Sequence, residues 1–449
     1  MSIELDLLSR ATARRSTGPA RPALEKTRLS LGFVPLTDCA PLVVALERGL
    51  FEKHGLDVAL SRETSWANIR DKVTIGVLDG AHMLASMPLA ATLGVGALQH
   101  DMVTGLVLQT NGNCITVSSD LHARMRDADP DAMARPATCV RALKAVIDAD
   151  ARAGRAKLTF AMTFPVATHN YELRLWLASG GIDPDLDLNV IVVPPPQMVD
   201  HLSAGVVQGY CVGEPWSGLA VELGIGHILV TKHEVMANAP EKVLGVSRAW
   251  AERHPATHQA LIQALIEACV WLDQREHRAE AAAMLRLGNY VDAPLAVVAR
   301  SLIGQLKRGP DTDATAHPDF HVFHRYAAGF PWRSYADWTI VQMLRWGQIS
   351  VPLDIRAVSD AVFRPDLYRA AALPLGLPSP TIDRKVEGQH EAPWLLTQAT
   401  DPIAMGANAW IDGNRFDPAG AVEHLADLAI AHREVDLAAL AALNSPGPR

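Results

Sequence analysis

Residues 29–60 read LSLGFVPLTDCAPLVVALERGLFEKHGLDVAL, and this stretch decides the fold class. The short apolar run over 29–35 predicts a buried strand. Residues 39–51 carry apolar side chains at helical spacing and predict a helix that ends near Gly49. Residues 55–60 predict a second strand. A strand, a helix and a strand in this order are typical of a parallel sheet covered by helices.

The same alternation occurs in two sets along the chain. The first set continues with a predicted helix over 68–77 and a strand over 79–84. The second set alternates strand and helix over 156–162, 170–179, 188–193, 197–204 and 209–212. Two such sets predict an α/β protein of two lobes, with a crossover around Asn111-Gly112-Asn113 and a return crossover near 228–231.

The remaining segments are expected to pack around these lobes. Residues 120–151 predict a helical insertion on lobe 2, and helices over 248–273 and 294–305 are expected on lobe 1. After residue 331, Trp, Pro and Gly punctuate helices and loops. The predicted organisation is a flexible leader (1–27), lobe 1 (28–110 and 231–330), lobe 2 (111–230) and a C-terminal extension (331–449) packed on lobe 1.

Composition excludes several classes of protein. The chain has 449 residues, of which 49% are hydrophobic and 20% charged, and this suits two packed lobes rather than a disordered chain. Its net charge of -8, without a basic run, argues against direct binding of nucleic acid. Charged residues or Pro interrupt every apolar stretch well before the ~20 residues that a membrane span needs. Five scattered cysteines without a CxxC pair predict buried thiols.

The N-terminal residues indicate whether the protein is exported or stays in the cytoplasm. A secretory signal needs a basic start followed by an apolar core. Here Glu4 and Asp6 come first, and no apolar core follows Arg14-Arg15. We therefore expect a cytoplasmic protein, and a true start codon further upstream that encodes a signal is the alternative.

A cleft between two α/β lobes suits an anion. Helix N-termini and the carboxyl ends of strands face such a cleft, and helix N-termini present unpaired N–H groups and the positive end of the helix dipole. This reasoning predicts where a ligand binds but does not identify it.

Several stretches resemble a known family. They include residues 31–58 of the quoted segment, TSWANIRDKVTIGVLDGAHMLASMP (64–88), FPVATHNYELRLWLASGGIDPDLD (164–187) and YCVGEPWSGLAV (210–221). In combination they resemble the nitrate- and bicarbonate-binding receptors of ABC transporters, and most of all the cytoplasmic nitrate/nitrite sensors related to them. The resemblance covers roughly residues 29–373 and implies the type II periplasmic-binding-protein fold.

The resemblance also implies a ligand site. The family's nitrate contacts come from a Trp, an amide, a His and a Lys, which correspond here to Trp66, Asn113, His169 and Lys242. Asn113 stands where Gln is expected, and FPVATH (164–169) stands where FPGGTH is expected, so anion selectivity is open. Residues expected around the site are Thr168 as a helix N-cap and Asp38 with Thr37 at the cleft entrance. Glu214 and Trp216 are expected at a cleft wall or hinge, with packing at a strand end as the alternative. Lys242 is expected in a loop.

Nitrate has three acceptor oxygens and no proton, so donors alone can hold it. The indole N–H, amide NH2, imidazole N–H and ammonium groups are such donors. The lysine would also balance the charge of a buried anion. We find no general base or nucleophile, and we predict a protein that is not an enzyme and needs no metal or cofactor.

Several functions remain open. The first is a cytoplasmic nitrate/nitrite sensor that, by resemblance, holds an RNA-binding antiterminator of response-regulator type when ligand-free. The alternative is a solute-binding receptor of a nitrate or bicarbonate ABC transporter. A bicarbonate site would use a carboxylate and calcium, and Glu241 beside Lys242 keeps this possibility open. An enzyme of the thiamin-pyrimidine synthase type would need a Cys-rich iron motif, which the sequence lacks.

Overall fold

The computed structural model describes residues 23–445, so the predicted leader lies almost entirely outside the described residues. Sixteen strands and twenty α-helices are found in this part of the chain. None of these helices has both the length and the apolar character needed to cross a membrane.

The strands are numbered in chain order. They are β1 Arg28–Phe33, β2 Asp57–Arg62, β3 Gly80–Leu84, β4 Met102–Val103, β5 Val107–Asn111, β6 Asn113–Ser118, β7 Thr159–Met162, β8 Asn189–Val192, β9 Gly209–Gly213, β10 Gly226–Thr231, β11 Pro240–Ser247, β12 Gln305–Leu306, β13 Thr315–Ala316, β14 His321–Val322, β15 Trp394–Leu396 and β16 Ile403–Met405.

The helices are numbered likewise. They are α1 Ala40–Glu47, α2 Leu50–Lys53, α3 Trp66–Thr74, α4 Met87–Leu93, α5 Ser119–Ala128, α6 Pro130–Met133, α7 Cys139–Arg152, α8 Thr168–Ser179, α9 Met198–Ser203, α10 Trp216–Glu222, α11 Lys232–Val235, α12 Arg248–Arg253, α13 Pro255–Asp273, α14 Arg278–Leu287, α15 Leu295–Ile303, α16 Arg333–Arg345, α17 Ile355–Val362, α18 Pro365–Ala372, α19 Ala421–Asp427 and α20 Leu437–Asn444.

Lobe 1 is built on a seven-stranded sheet. Its strand order is β14-β5-β11-β3-β1-β2, and β4 pairs with β11. β1 runs parallel to β2 and β3, whereas β11 runs antiparallel to β3 and β5. Seven of the eight β11 residues are buried, because neighbouring strands cover both of its edges.

Lobe 2 is built on a five-stranded sheet in the order β10-β6-β9-β7-β8. All its strands come from residues 113–231, whereas the longer strands of the lobe 1 sheet come from residues 28–111 and 240–247. The two sheets with their helices confirm the two-lobed α/β architecture. Helix α13, the longest, packs against α1 and buries Leu261, Leu265 and Leu272 in the lobe 1 core.

The crossover from lobe 1 to lobe 2 is a tight turn between β5 and β6. Asn111 and Gly112 have φ angles of 63° and 88°. A Cβ atom on Gly112 would lie 2.2 Å from Nε2 of Gln109 and 2.5 Å from Cε1 of His321. This position therefore requires glycine both for its conformation and for space.

The C-terminal extension packs on both lobes. Against lobe 1, an isolated bridge joins Phe363 to Thr104. Against lobe 2, the hydroxyl of Tyr171 donates to Oε1 of Gln348 at 2.6 Å, and the amide of Gln348 donates to the carbonyl of Pro165. The sequence predicted packing on lobe 1 but not this contact with lobe 2.

Candidate functional site

Nine polar or indole side chains are buried between the two sheets, and none is more than 2% exposed. This buried polar cluster comprises Asp38, Trp66, His82, Asn113, His169, Glu172, Lys232, Glu241 and Lys242. Lobe 1 supplies five of them, from the turn Thr37–Cys39, α3, β3 and β11, and lobe 2 supplies three, from β6 and α8. Lys232 begins α11, on the return to lobe 1.

Lys242 lies in the middle of the lobe 1 sheet. The expected loop position was wrong: Lys242 is in β11, opposite Leu84 and Gln109. The charged pair Glu241-Lys242 is typical of an exposed segment, but inside the protein both charges have partners of opposite sign. Nζ of Lys242 lies 2.8 Å from Oδ2 of Asp38 and 2.7 Å from Oε1 of Glu241. Its charge is therefore already balanced by two carboxylates, and its expected contact with an anion stays a prediction.

Asp38 is fully buried, and its expected position at the cleft entrance was wrong. Its Oδ1 lies 2.8 Å from Nε2 of His82, and its Oδ2 contacts Lys242. Burial would raise the pKa of Asp38, but Lys242 and His82 hold it well below its usual range. Burial lowers the pKa of His82. Asp38 therefore acts as an anion inside the cluster and fixes the lysine.

Lys232 is the residue that joins the lobes electrostatically. Nζ of Lys232 lies 2.5 Å from Oε1 of Glu172 in lobe 2 and 2.6 Å from Oε2 of Glu241 in lobe 1, and it donates to the carbonyl of Pro240. Glu241 thus bridges both lysines. The Thr231–Glu234 capping box marks the start of α11 but gives no sign that Lys232 is buried.

Trp66 is the first residue of α3, whose N-cap is Ser65. Its ring lies 5.5 Å from the ring of His82, and Nζ of Lys242 lies 5.5 Å from its centroid. Its Nε1 has no hydrogen-bond partner among residues 23–445. A buried N–H group without a partner costs free energy, and an acceptor would relieve this cost.

His169 lies in the first turn of α8. Its Nδ1 is 3.2 Å from Oγ1 of Thr163, and its Nε2 is 3.5 Å from Oε1 of Glu241 without forming a hydrogen bond. Burial lowers the pKa of His169 to about 3, so the ring is neutral near pH 7. If Nδ1 accepts from Thr163, Nε2 carries the proton and can donate to a ligand.

Asn113 begins β6 directly after the turn. Its Nδ2 donates to Oε2 of Glu172 at 3.0 Å, and its Oδ1 has no partner within the described part of the chain. Burial raises the pKa of Glu172 to about 7, despite the opposing effect of Lys232. A protonated Glu172 could donate to Oδ1 after rotation of the amide, and this would turn the NH2 group of Asn113 away from Glu172.

The expected N-cap role of Thr168 was wrong, whereas the expected cleft-wall or hinge role of Glu214 and Trp216 stays a prediction. Thr168 is not the N-cap, because Ala167 takes that position and Thr168 makes no capping bond. Glu214 is buried and accepts from the N–H of Gly218, and its backbone carbonyl accepts from the N–H of Thr37 at 2.8 Å. Trp216 begins α10, and its Nε1 finds no partner in residues 23–445. The hydrogen bond between Thr37 and Glu214 joins the two lobes.

The cluster as a whole is not positively charged. Three carboxylates (Asp38, Glu172, Glu241) against two ammonium groups (Lys232, Lys242) give a net charge of -1, or 0 when Glu172 is protonated. A proton that enters with an anion and neutralises Glu172 would remove this net negative charge.

The sequence did not single out His82, Glu172 or Lys232 as site residues. His82 stands alone among apolar residues in the fully buried strand β3, and Glu172 stands within the largely buried helix α8. A polar residue inside an apolar run indicates a buried polar side chain, and such a side chain needs hydrogen-bond partners. This pattern could have identified these residues as site candidates.

One group of side chains has the spacing of metal ligands. Within the residues that the structure describes, it consists of Asp183, Asp185 and His432. Arg174 already forms two hydrogen bonds with Asp185, at 2.6 and 2.8 Å. This group joins lobe 2 to the extension and is not part of the buried polar cluster.

The chain is similar to proteins of known function. Residues 22–286 match the model of the NMT1-like family. The nitrate import ATP-binding protein NrtC of Synechocystis sp. strain PCC 6803 is 41% identical over 82% of this chain and 52% of that protein, so the chain spans about half of this relative's length. The bicarbonate-binding protein CmpA of Synechococcus elongatus is 32% identical over 80% of this chain and 81% of CmpA.

A solved structure gives the same result. The periplasmic nitrate-binding protein NrtA of the same Synechocystis strain superposes with a TM-score of 0.79 and 29% identity, and the match covers 91% of this chain and all of that one. This similarity confirms the periplasmic-binding-protein fold that the sequence predicted. The chain therefore belongs to the NMT1-like family and, within it, to the nitrate- and bicarbonate-binding proteins of periplasmic-binding-protein fold.

Proposed function

We propose that this chain is a solute-binding receptor for a small inorganic oxyanion, nitrate or nitrite before bicarbonate, and that it serves an ABC transporter. The observation that carries the proposal is the pair of buried donors without partners, Nε1 of Trp66 and Nε2 of His169, one from each lobe. An anion between them would satisfy both and would hold the lobes together. The names of the similar proteins, which refer to nitrate and bicarbonate transport, support this choice.

The balanced charges of the cluster suggest how binding occurs. We infer that a proton enters with the anion and neutralises Glu172, the carboxylate whose pKa lies near 7. A protonated Glu172 no longer forms an ion pair and interacts with its neighbours through hydrogen bonds alone. Asn113 can then turn its NH2 group towards the anion. Lys242 stays paired with Asp38 and Glu241 and stabilises the anion through its dipole rather than as a lone cation.

Nitrate and bicarbonate place different demands on this site. Bicarbonate carries an O–H group that needs an acceptor, and Oδ1 of Asn113 is one. Nitrate has acceptors only, which matches Trp66 and His169. Calcium would need carboxylates, but the ammonium groups of Lys232 and Lys242 already contact those of the cluster. We therefore favour nitrate or nitrite without a metal, and we assign no catalytic role.

Calorimetry with nitrate, nitrite and bicarbonate, each with and without a chelator, tests this proposal. We expect saturable binding of nitrate or nitrite that the chelator does not change. Binding of bicarbonate alone, and only with calcium, would refute it.

The sensor function, its antiterminator partner and the cytoplasmic location stay predictions. The similarity to a nitrate import protein and to a bicarbonate-binding protein favours the transporter receptor instead. Titration of a reconstituted receptor and antiterminator with nitrate would decide, because linkage requires nitrate and the partner to weaken each other's binding by the same factor.

A further inference from the structure

A cavity lies between lobe 2 and the C-terminal extension. It has a volume of about 560 Å³, within the usual range for small-molecule sites. Ala178 and Ser179, near the end of α8, line it from lobe 2, whereas Arg345, Asp412, Arg415 and Asp427 line it from the extension. We call this cavity the extension pocket.

Arg345 is a buried cation that forms no ion pair with any of the described residues. Its side chain is only 4% exposed, yet no carboxylate of residues 23–445 lies within 4.0 Å of its guanidinium. Nε donates to the carbonyl of Ile430 at 2.9 Å, Nη1 reaches Gln342 at 3.4 Å, and the group stacks on Trp346. Burial lowers the pKa of Arg345 to about 10, although the carboxylates of Asp412 and Asp183 act in the opposite direction.

Another arginine of the extension shows the usual arrangement. Arg384 pairs with Asp337 and Asp360 at 2.7 Å each, and these carboxylates raise its pKa. A buried charge without such a partner is costly. The contrast indicates that Arg345 is held for a partner from outside the chain, and a carboxylate fits its planar fork of donors.

The pocket also offers the opposite charge. Asp412 and Asp427 line it, and neither forms an ion pair with a side chain of the described residues. Asp412 accepts only from the backbone and side chain of Asn414. A ligand that pairs both with Arg345 and with these two aspartates carries a carboxylate and an ammonium group.

We propose that the extension pocket binds a free amino acid, with its α-carboxylate on Arg345 and its ammonium group beside Asp412 and Asp427. This goes beyond the proposed oxyanion receptor and does not depend on which anion the buried polar cluster takes. The two sites share α8, because its first turns carry His169 and Glu172 and its last turn lines the extension pocket. An amino acid that contacts α8 and the extension together would act on the contact between the lobes.

Calorimetry of the whole chain with each of the twenty standard amino acids tests this proposal. Succinate, which lacks the ammonium group, and putrescine, which lacks the carboxylate, are the matched compounds. We expect saturable binding of at least one amino acid, and binding at least tenfold weaker for succinate and putrescine. No saturable binding of any amino acid, or succinate binding as tightly, would overturn the proposal.

Three variants test whether the amino acid binds in the extension pocket. Arg345→Gln removes the guanidinium that would hold the carboxylate. Ala178→Trp fills the pocket from lobe 2 and keeps Arg345, so it decides the outcome if Arg345→Gln fails to fold. We expect each to weaken amino acid binding at least tenfold, whereas Trp66→Phe in the buried polar cluster leaves it unchanged. Binding that survives Ala178→Trp, or that is lost in Trp66→Phe, would overturn the proposal even if the chain binds nitrate as proposed.

Discussion

Nζ of Lys232 lies 2.5 Å from Oε1 of Glu172, and this ion pair connects α8 of lobe 2 to the segment that returns to lobe 1. Because Lys232 also contacts Glu241 of the lobe 1 sheet, one buried ammonium group holds carboxylates of both lobes. Ligand binding and the contact between the lobes are therefore expected to depend on the same charges.

Replacing Lys232 by Met should destabilise the protein strongly. Glu172 and Glu241 would remain buried without their shared partner, and breaking a buried ion pair in this way costs about 3–5 kcal/mol. Urea unfolding measures the effect. Lys144→Met removes an exposed pair with Asp148 and should change the free energy of unfolding by less than about 1 kcal/mol. Equal effects of the two variants would show that the buried pair has no special role.

Nitrate affinity should fall as the pH rises from about 6 to about 8. The pKa of Glu172 is raised to about 7, so below this pH the carboxyl is neutral and the cluster has no net charge. Above it, Glu172 ionises and the cluster carries a charge of -1, which repels the anion. Linkage to one proton allows a change of up to about tenfold per pH unit above the pKa.

Glu172→Gln is the control for this pH dependence. The variant keeps a neutral side chain of similar shape at every pH, so its affinity should not vary across this range. Wild-type affinity that is equal at both ends of the range, or a variant that keeps the wild-type pH profile, would exclude Glu172 as the group that titrates.

Trp66→Phe should weaken nitrate binding by roughly ten- to hundredfold, with little change in Tm. The substitution removes the Nε1 donor but keeps an aromatic ring beside His82, and one lost hydrogen bond to a charged group costs about 1.5–3 kcal/mol. Trp176→Phe is the matched control, because Trp176 is as buried as Trp66 but lies outside the cluster. If both variants bind nitrate as the wild type does, Trp66 does not contact the anion.

Gly112→Ala should destabilise the protein more than Gly76→Ala. Both glycines have positive φ angles, 88° and 77°, so both variants incur the conformational cost of about 1 kcal/mol. Only at Gly112 would the new Cβ collide with Gln109 and His321, since nothing lies within 4 Å of it at Gly76. Thermal unfolding compares the two, and equal losses of stability would mean that the crossover turn relaxes freely.

The fold could be predicted from the sequence because the patterns that indicate it are local. The alternation of strand and helix around residues 29–60, and the turn residues Asn111-Gly112, depend on periodicity and backbone conformation. Boundaries were less exact: the strand predicted over 156–162 forms only at Thr159–Met162, where burial begins.

The site was harder to predict from the sequence, because its charged residues pair with partners that are far away along the chain. Lys242 was expected in a loop, since its partner Asp38 is about two hundred residues away and cannot be inferred from spacing. Lys232 and Glu172 were missed for the same reason. A sequence shows which residues carry charge, but only the fold shows which charges neutralise each other.

A crystal structure of the chain grown with nitrate tests the central claim most directly. We predict one nitrate in the buried polar cluster, with its oxygens within hydrogen-bond distance of Nε1 of Trp66 and Nε2 of His169. Nitrate bound only elsewhere, with both of these donors still without a partner, would contradict the proposed site.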